Sequence, residues 1–108
     1  MASASDARRL AMCLEGTTEA PHFDRSAFKV VRIYATLAAD GQSLNLKLTL
    51  DEQEFKVMMS PEAFAAIPNG WGRQGWTTVT LAAVSEDELA QALRMAWEHG
   101  RRKVVRKR

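Results

Sequence analysis

The sequence predicts an α+β domain in which a single antiparallel sheet has its helices packed on one face. Three observations predict it. Leu44, Leu46, Leu48 and Leu50 alternate with Asn45, Lys47 and Thr49, the period of a strand with one dry face. Asp40-Gly41 separates that run from an earlier alternating segment, which marks a hairpin. Thr49-Leu50-Asp51-Glu52 and Ser85-Glu86-Asp87-Glu88 are capping boxes, each opening a helix.

Residues 1–4 read as a loose start. Ser5 is placed to cap a first helix, with Ala7, Leu10, Ala11 and Leu14 at helical spacing and Gly16 as its left-handed stop. Cys13 lies close to that stripe and reads as a small buried residue. Thr17 to Ser26 is mixed and polar, contains Pro21 and has no period, so it reads as a loop. Ala27–Val31 and Ile33–Leu37 are rich in β-formers. Alternation puts Phe28 and Val30 on one side of the first, and sets Ile33, Ala35 and Leu37 opposite Tyr34 and Thr36 in the second.

The helix opened by Thr49 runs through Phe55 and Met58. Ser60-Pro61 restarts a short helix through Phe64 and Ile67, which Pro68-Asn69-Gly70 stops. Residues 70–75 are punctuated by glycine and read as a loop or a bulged edge strand. Trp76 to Leu81 is a strand with Thr77, Val79 and Leu81 inward. The helix opened by Ser85 sets Leu89, Ala92, Leu93, Ala96 and Trp97 on one face; Gly100 suits its end, while Val104 keeps the register for a longer helix. The order is helix, three strands, helical stretch, two strands, helix, which suits one antiparallel sheet.

A chain of 108 residues is expected to form one domain spanning 1–108, because two would each lack a proper interior. Its 46% hydrophobic and 26% charged residues exclude a disordered chain. No apolar run approaches the ~20 residues of a membrane helix, and no signal peptide is evident, so a cytoplasmic protein without a membrane partner is expected. The single cysteine excludes an internal disulfide and a cysteine-clustered zinc site.

The net charge of +2 hides an uneven distribution. The last eight residues hold Arg101, Arg102, Lys103, Arg106, Lys107 and Arg108 and no acid, which leaves the trunk, residues 1–100, with nine cations against thirteen carboxylates. The basic character belongs to a tail, 101–108. Such a tail can clamp nucleic acid or an acidic partner. The simpler account is a solubilising end whose cations suit a helix C-terminus.

Catalytic and cofactor chemistry finds little footing. Cys13, His22 and Asp24 could be assembled as a nucleophile with base and orienting group, but no family-type signature surrounds them. His22 and Asp24, with His99 as a remote third, make too common a pattern to specify a metal. Glycines 70, 72 and 75 lack the Lys-Ser/Thr ending of a Walker loop and precede a β-like run, so they read as bends that let Trp71 and Trp76 pack. No enzymatic activity, cofactor, metal or small-molecule substrate is expected. More informative is the side of the sheet opposite the leucines. It collects Lys29, Tyr34, Thr36, Asn45, Lys47, Trp76, Thr78 and Thr80, a mixture suited to solvation, to a protein contact, or to phosphates and stacked bases.

Several segments together resemble the MmcQ/YjbR family of small bacterial proteins. They are Pro21-His22-Phe23, Ala27-Phe28-Lys29-Val30, Ile33-Tyr34-Ala35-Thr36-Leu37, Leu46-Lys47-Leu48 and Trp71-Gly72-Arg73-Gln74-Gly75-Trp76-Thr77-Thr78-Val79. The resemblance extends from the first helix to Trp97. It implies an α-β(3)-α-β(2)-α fold like that of secretion chaperones, and DNA binding through a double wing of β-hairpins. One wing would hold Lys29 and Arg32, the other Arg73 between Asn69 and Trp76. Family members usually carry a glycine and a lysine before the second strand, whereas Val31-Arg32 here runs straight into Ile33. The expected function is weak, largely sequence-non-specific DNA binding, with Lys29, Arg32, Lys47, Arg73, Trp71, Trp76, Arg101, Arg102, Lys103 and Arg106 as contacts. The alternative is a protein-interaction or chaperone-like module, a homodimer included, that uses the exposed sheet face.

Overall fold

A computed structural model describes residues 1–102. Its elements are α1 (Ala4–Met12), β1 (Thr18–His22), β2 (Arg25–Lys29), β3 (Ile33–Leu37), β4 (Ser43–Lys47), α2 (Leu50–Met59), β5 (Phe64–Ala66), α3 (Gly70–Arg73), β6 (Trp76–Thr80) and α4 (Glu86–Gly100), with a 3₁₀ turn over Leu81–Ala83. The strands form one open antiparallel sheet in the order β1-β2-β3-β4-β6-β5. The expected α+β class, with one antiparallel sheet, holds.

The core lies between one face of the sheet and α1, α2 and α4. Leu37 pairs with Leu44, Ala35 with Leu46, Leu44 with Val79 and Phe64 with Val79, so these side chains share the covered face. There they meet Ala7 and Ala11 of α1 and Leu89, Ala92, Leu93 and Ala96 of α4, all fully buried. Each large apolar side chain so buried contributes about 1.5–3 kcal/mol against the entropy of ordering the chain. Both predicted capping boxes are present, at Thr49/Glu52 and Ser85/Glu88. A third closes α1, but on Ser3 and Asp6 rather than on Ser5, because Asp6 returns the bond to the Ser3 amide.

Four local readings are corrected. The expected loop from Thr17 to Ser26 contains β1; its Pro21 is tolerated because β1 is an edge strand. The expected helix through Phe64 and Ile67 gives way to β5, whose three residues are held by pairing with β6. Residues 70–73, read as loop or strand, form the single helical turn α3, capped by the Asn69 side chain. Cys13, read as buried, is the exposed C-cap residue of α1.

A bulge also reverses two side chains. Phe28 pairs with Ala35 but Lys29 pairs with Ile33, so Tyr34 is an extra residue in β3. Tyr34 therefore turns into the core, where its hydroxyl lies 2.8 Å from Thr17 Oγ1, and Ile33 turns to the open face beside Lys29. Burial raises the Tyr34 pKa, and the Thr17 contact opposes that rise. The helix α4 stops at Gly100 instead of running on through Arg101 and Arg102. The Gly100 carbonyl accepts from the Val31 and Arg32 amides, which ties the end of α4 to the β2–β3 turn. Val104 lies outside the described residues.

Candidate functional site

The face turned away from α1, α2 and α4 is open, and its composition follows from the register. The rows Ala20–Ala27–Thr36–Asn45–Thr78–Ala65, His22–Arg25, Thr18–Lys29–Ile33 and Lys47–Trp76 project from it. The charged members of these rows are Arg25, Lys29 and Lys47. Glu19, among the described residues the one acid in a strand, pairs with Phe28 on the other face and bridges Arg8 of α1 at 2.9 Å. The acidic excess of the trunk thus resides on helices and turns, and the exposed sheet is positive.

A groove of about 540 Å³ crosses this face diagonally. At the β1–β2 end it is bounded by His22, Phe23, Asp24 and Arg25, and at the other end by Ile67, Trp71 and Trp76; Ile33, Thr36 and Asn45 lie between. Thr36 is buried although no helix covers it, because Arg25 lies across it. Arg25 Nε donates to Thr36 Oγ1 and Nη2 to the Thr36 carbonyl, each at 2.9 Å. Asn45 Oδ1 accepts from Thr78 Oγ1 at 2.8 Å.

The hairpin tip is unusual. Phe23 and Asp24 alone link the paired residues His22 and Arg25, and Phe23 has φ 59°, a conformation that glycine normally supplies. Phe23 is 93% exposed, and its ring meets the His22 ring edge-on, with centroids 4.8 Å apart. Across the groove, Trp71 is 59% exposed and packs edge-on against Trp76 at 6.5 Å.

Trp71 reaches this position through α3. A Cβ on Gly72 would collide with the Ile67 carbonyl, so only glycine lets this turn sit so close to the chain leaving β5. Buried Gln53 of α2 fastens it from beneath. Its Nε2 donates to the Gly72 carbonyl at 3.0 Å, the Trp76 carbonyl at 3.0 Å and Thr77 Oγ1 at 3.1 Å. Gly72 and Gly75 thus allow close backbone approach, to Ile67 and Leu48 respectively, while Gly70 has open space around it.

A second hollow adjoins the groove at Ile33 and Trp76 and adds Arg32, Lys47, His99 and Gly100. Burial and the nearby Arg32 charge hold the Lys47 ammonium below the usual lysine range, opposed by Glu52. Arg32 Nη2 donates to the His99 carbonyl at 2.7 Å, and His99 Nε2 lies 3.0 Å from Glu52 Oε1. Among the described residues Arg25, Lys29, Arg32 and Lys47 enter no ion pair within 4.0 Å, whereas Arg8, Arg9 and Arg101 each bridge a carboxylate.

The expected contacts therefore divide. Lys29, Arg32, Lys47, Trp71 and Trp76 gather on or beside the open face. Arg73 lies apart, in a hollow with Leu50, Pro68 and Asn69. Arg101 stacks on Trp97 and bridges Glu98, and Arg102 lines a hollow with Glu52, Arg94 and Glu98. Lys103 and Arg106 lie outside the described residues. Phe23 and Arg25 belong to the face but escape a reading of the sequence that takes residues 17–26 as loop. The one signal available was Phe23-Asp24 between polar residues, far weaker than an Asn-Gly hairpin mark.

A family model described as YjbR matches residues 12–99. The crystal structure of the Deinococcus radiodurans protein DR2400, with a domain described as DUF419, superposes with a TM-score of 0.76 at 26% identity. The match covers 90% of this chain and 77% of that one. Among curated proteins none matches. No helix among the described residues is long and apolar enough to cross a membrane.

Proposed function

This chain belongs to the YjbR family, and from that premise we propose that it is a non-enzymatic DNA-binding protein, holding nucleic acid weakly and without reading its sequence. The observation that carries the reading is the segregation of charge. A trunk with more carboxylates than cations presents Arg25, Lys29, Arg32 and Lys47 on and beside one sheet face, with Asp24 the one acid among the described residues that line its groove. These cations sit on strands and a turn rather than on a helix shaped for a major groove, so they serve phosphates and not base edges. Gly100, the last residue of α4, lies beside Arg32 at this end of the face.

The test is fluorescence anisotropy of labelled duplex DNA with the full chain at ~50 and ~200 mM salt. Four phosphate contacts give a slope of about −3.6 in log affinity against log salt, roughly a 150-fold loss over that range, and a contribution from the tail steepens it. Arg32→Glu with Lys47→Glu is expected to flatten the slope by about 1.8, while Arg94→Glu on α4 leaves it unchanged. Absence of binding at the lower salt, or a slope indifferent to the double variant, contradicts the reading.

A second reading, a protein-contact module, is favoured by α2. This helix buries Gln53 and Lys56 and exposes Leu50, Phe55, Met58 and Met59. Lys56 is held inside by Gln91 Oε1 at 3.0 Å and by the Phe64 ring. An apolar stripe turned outward suits a protein surface. Light scattering across a concentration series tests it: a dimer dispersed by Met58→Lys supports the reading, and a strict monomer counts against it.

A further inference from the structure

We propose that the groove across the open face receives an unpaired base, so that the preferred ligand is single-stranded nucleic acid and not the duplex. The inference rests on the DNA-binding reading and specifies its ligand. Charge complementarity selects a polyanion: Arg25 at one end, Lys47 and Arg32 at the other and Lys29 on the adjoining row can hold a phosphate chain crossing the sheet. A polyanion alone would not need what lies between them. The groove is framed by aromatic rings, exposed Phe23 and His22 on the hairpin and exposed Trp71 with half-buried Trp76 opposite, over a floor of Ile33, Thr36 and Asn45.

The base of an intact duplex shows such a groove only its edge, whereas an unpaired base brings a flat face that aromatic side chains stack upon. The volume of about 540 Å³ accommodates a planar ring with its sugar and falls within the range of small-ligand clefts. Phe23 is the most telling residue. It occupies a turn position that favours glycine, and the residue is 93% exposed, so the fold gains little from a phenyl group there. Asp24 disfavours phosphate at the hairpin tip, which leaves the Phe23 ring to the base and the Lys29, Arg32 and Lys47 side to the backbone. Asn45 has committed its Oδ1 to Thr78, leaving amide N–H donors for a base edge.

The experiment compares the full chain on a labelled oligothymidylate of about a dozen nucleotides with a duplex of equal length, at ~50 mM salt. The single strand is expected to bind at least about tenfold more tightly and to quench tryptophan fluorescence. Phe23→Gly and Trp71→Ala should each weaken single-strand binding about five- to a hundredfold, more than they weaken duplex binding, while both variants keep a cooperative unfolding transition. Equal affinity for the two forms, or single-strand affinity indifferent to both variants, overturns the base-receiving groove while DNA binding stands. No binding to either form overturns this inference together with the reading beneath it.

Discussion

Replacing Phe23 by glycine is expected to stabilise the fold. Phe23 is the first of two residues in the β1–β2 turn, with φ 59°, and Asp24 has a negative φ, the pattern of a type II′ turn. An L-residue held there costs about 1–3 kcal/mol. Because Phe23 is 93% exposed, removal of its ring forfeits little burial; the edge contact with His22 is worth about 0.5 kcal/mol. Glycine gives back about 0.5–1 kcal/mol through the greater freedom of the unfolded chain. Taken at their midpoints, these terms favour Phe23→Gly by about 0.75 kcal/mol, a rise in Tm of about 3–6 °C for a domain of this size. Phe23→Ala keeps the strain and loses the His22 contact, so its Tm should not rise. Scanning calorimetry of the three proteins decides it. A Phe23→Gly protein that melts below the parent refutes the reasoning, because the ring would then support the fold instead of being retained for the groove.

Three further outcomes follow from packing and titration. Gly72→Ala forces a methyl group against the Ile67 carbonyl and loosens the Gln53 bond, so it should cost about 3 kcal/mol in denaturant unfolding; Gly70→Ala, with open space around it, should be neutral or gain about 0.5–1 kcal/mol. Gln53→Leu removes one of the donors to the Gly72 and Trp76 carbonyls, which keep the Gly75 and Ile67 amides, together with the donor to Thr77 Oγ1, and should lower stability by about 1–3 kcal/mol, with a change in tryptophan fluorescence as Trp71 and Trp76 lose their seat. Although burial pulls the Glu52 carboxyl upward, the Thr49 amide and His99 bring its pKa below the ordinary value of 4.5. Glu52 therefore contributes stability that is present above pH 4.5 and is lost as the pH falls through its lower folded value. Acid titration of Glu52→Gln should show a shallower decline below that point, and an unchanged acid limb contradicts the assignment.

The parts of this fold that sequence reveals are those fixed by neighbours in the chain. The leucine alternation of β4 and the capping boxes at Thr49 and Ser85 depend on side chains within four residues, so pattern alone locates them. Where distant partners decide, pattern fails. Phe64–Ala66 has no intrinsic claim to be a strand and becomes one by pairing with β6. Thr18–His22 is polar and contains a proline, yet β2 templates it as an edge. The bulge that exchanges Tyr34 with Ile33 arises from β2–β3 register and a tyrosine hydroxyl that finds Thr17. The site divides the same way. Lys47 and Trp76 follow from alternation, but Phe23 and Arg25 enter only once β1 exists to close the hairpin.

The uncovered sheet face, and not the helical layer, is the surface proposed to meet nucleic acid. Titrating the ¹⁵N-labelled full chain with an oligothymidylate and following amide and indole resonances tests this most directly. The resonances of Phe23, Arg25, Thr36, Asn45, Lys47 and the Trp71 and Trp76 indoles should shift together and saturate at one concentration, while Glu54 and Arg94 stay still. Shifts confined to the helices, with the groove silent, would contradict it.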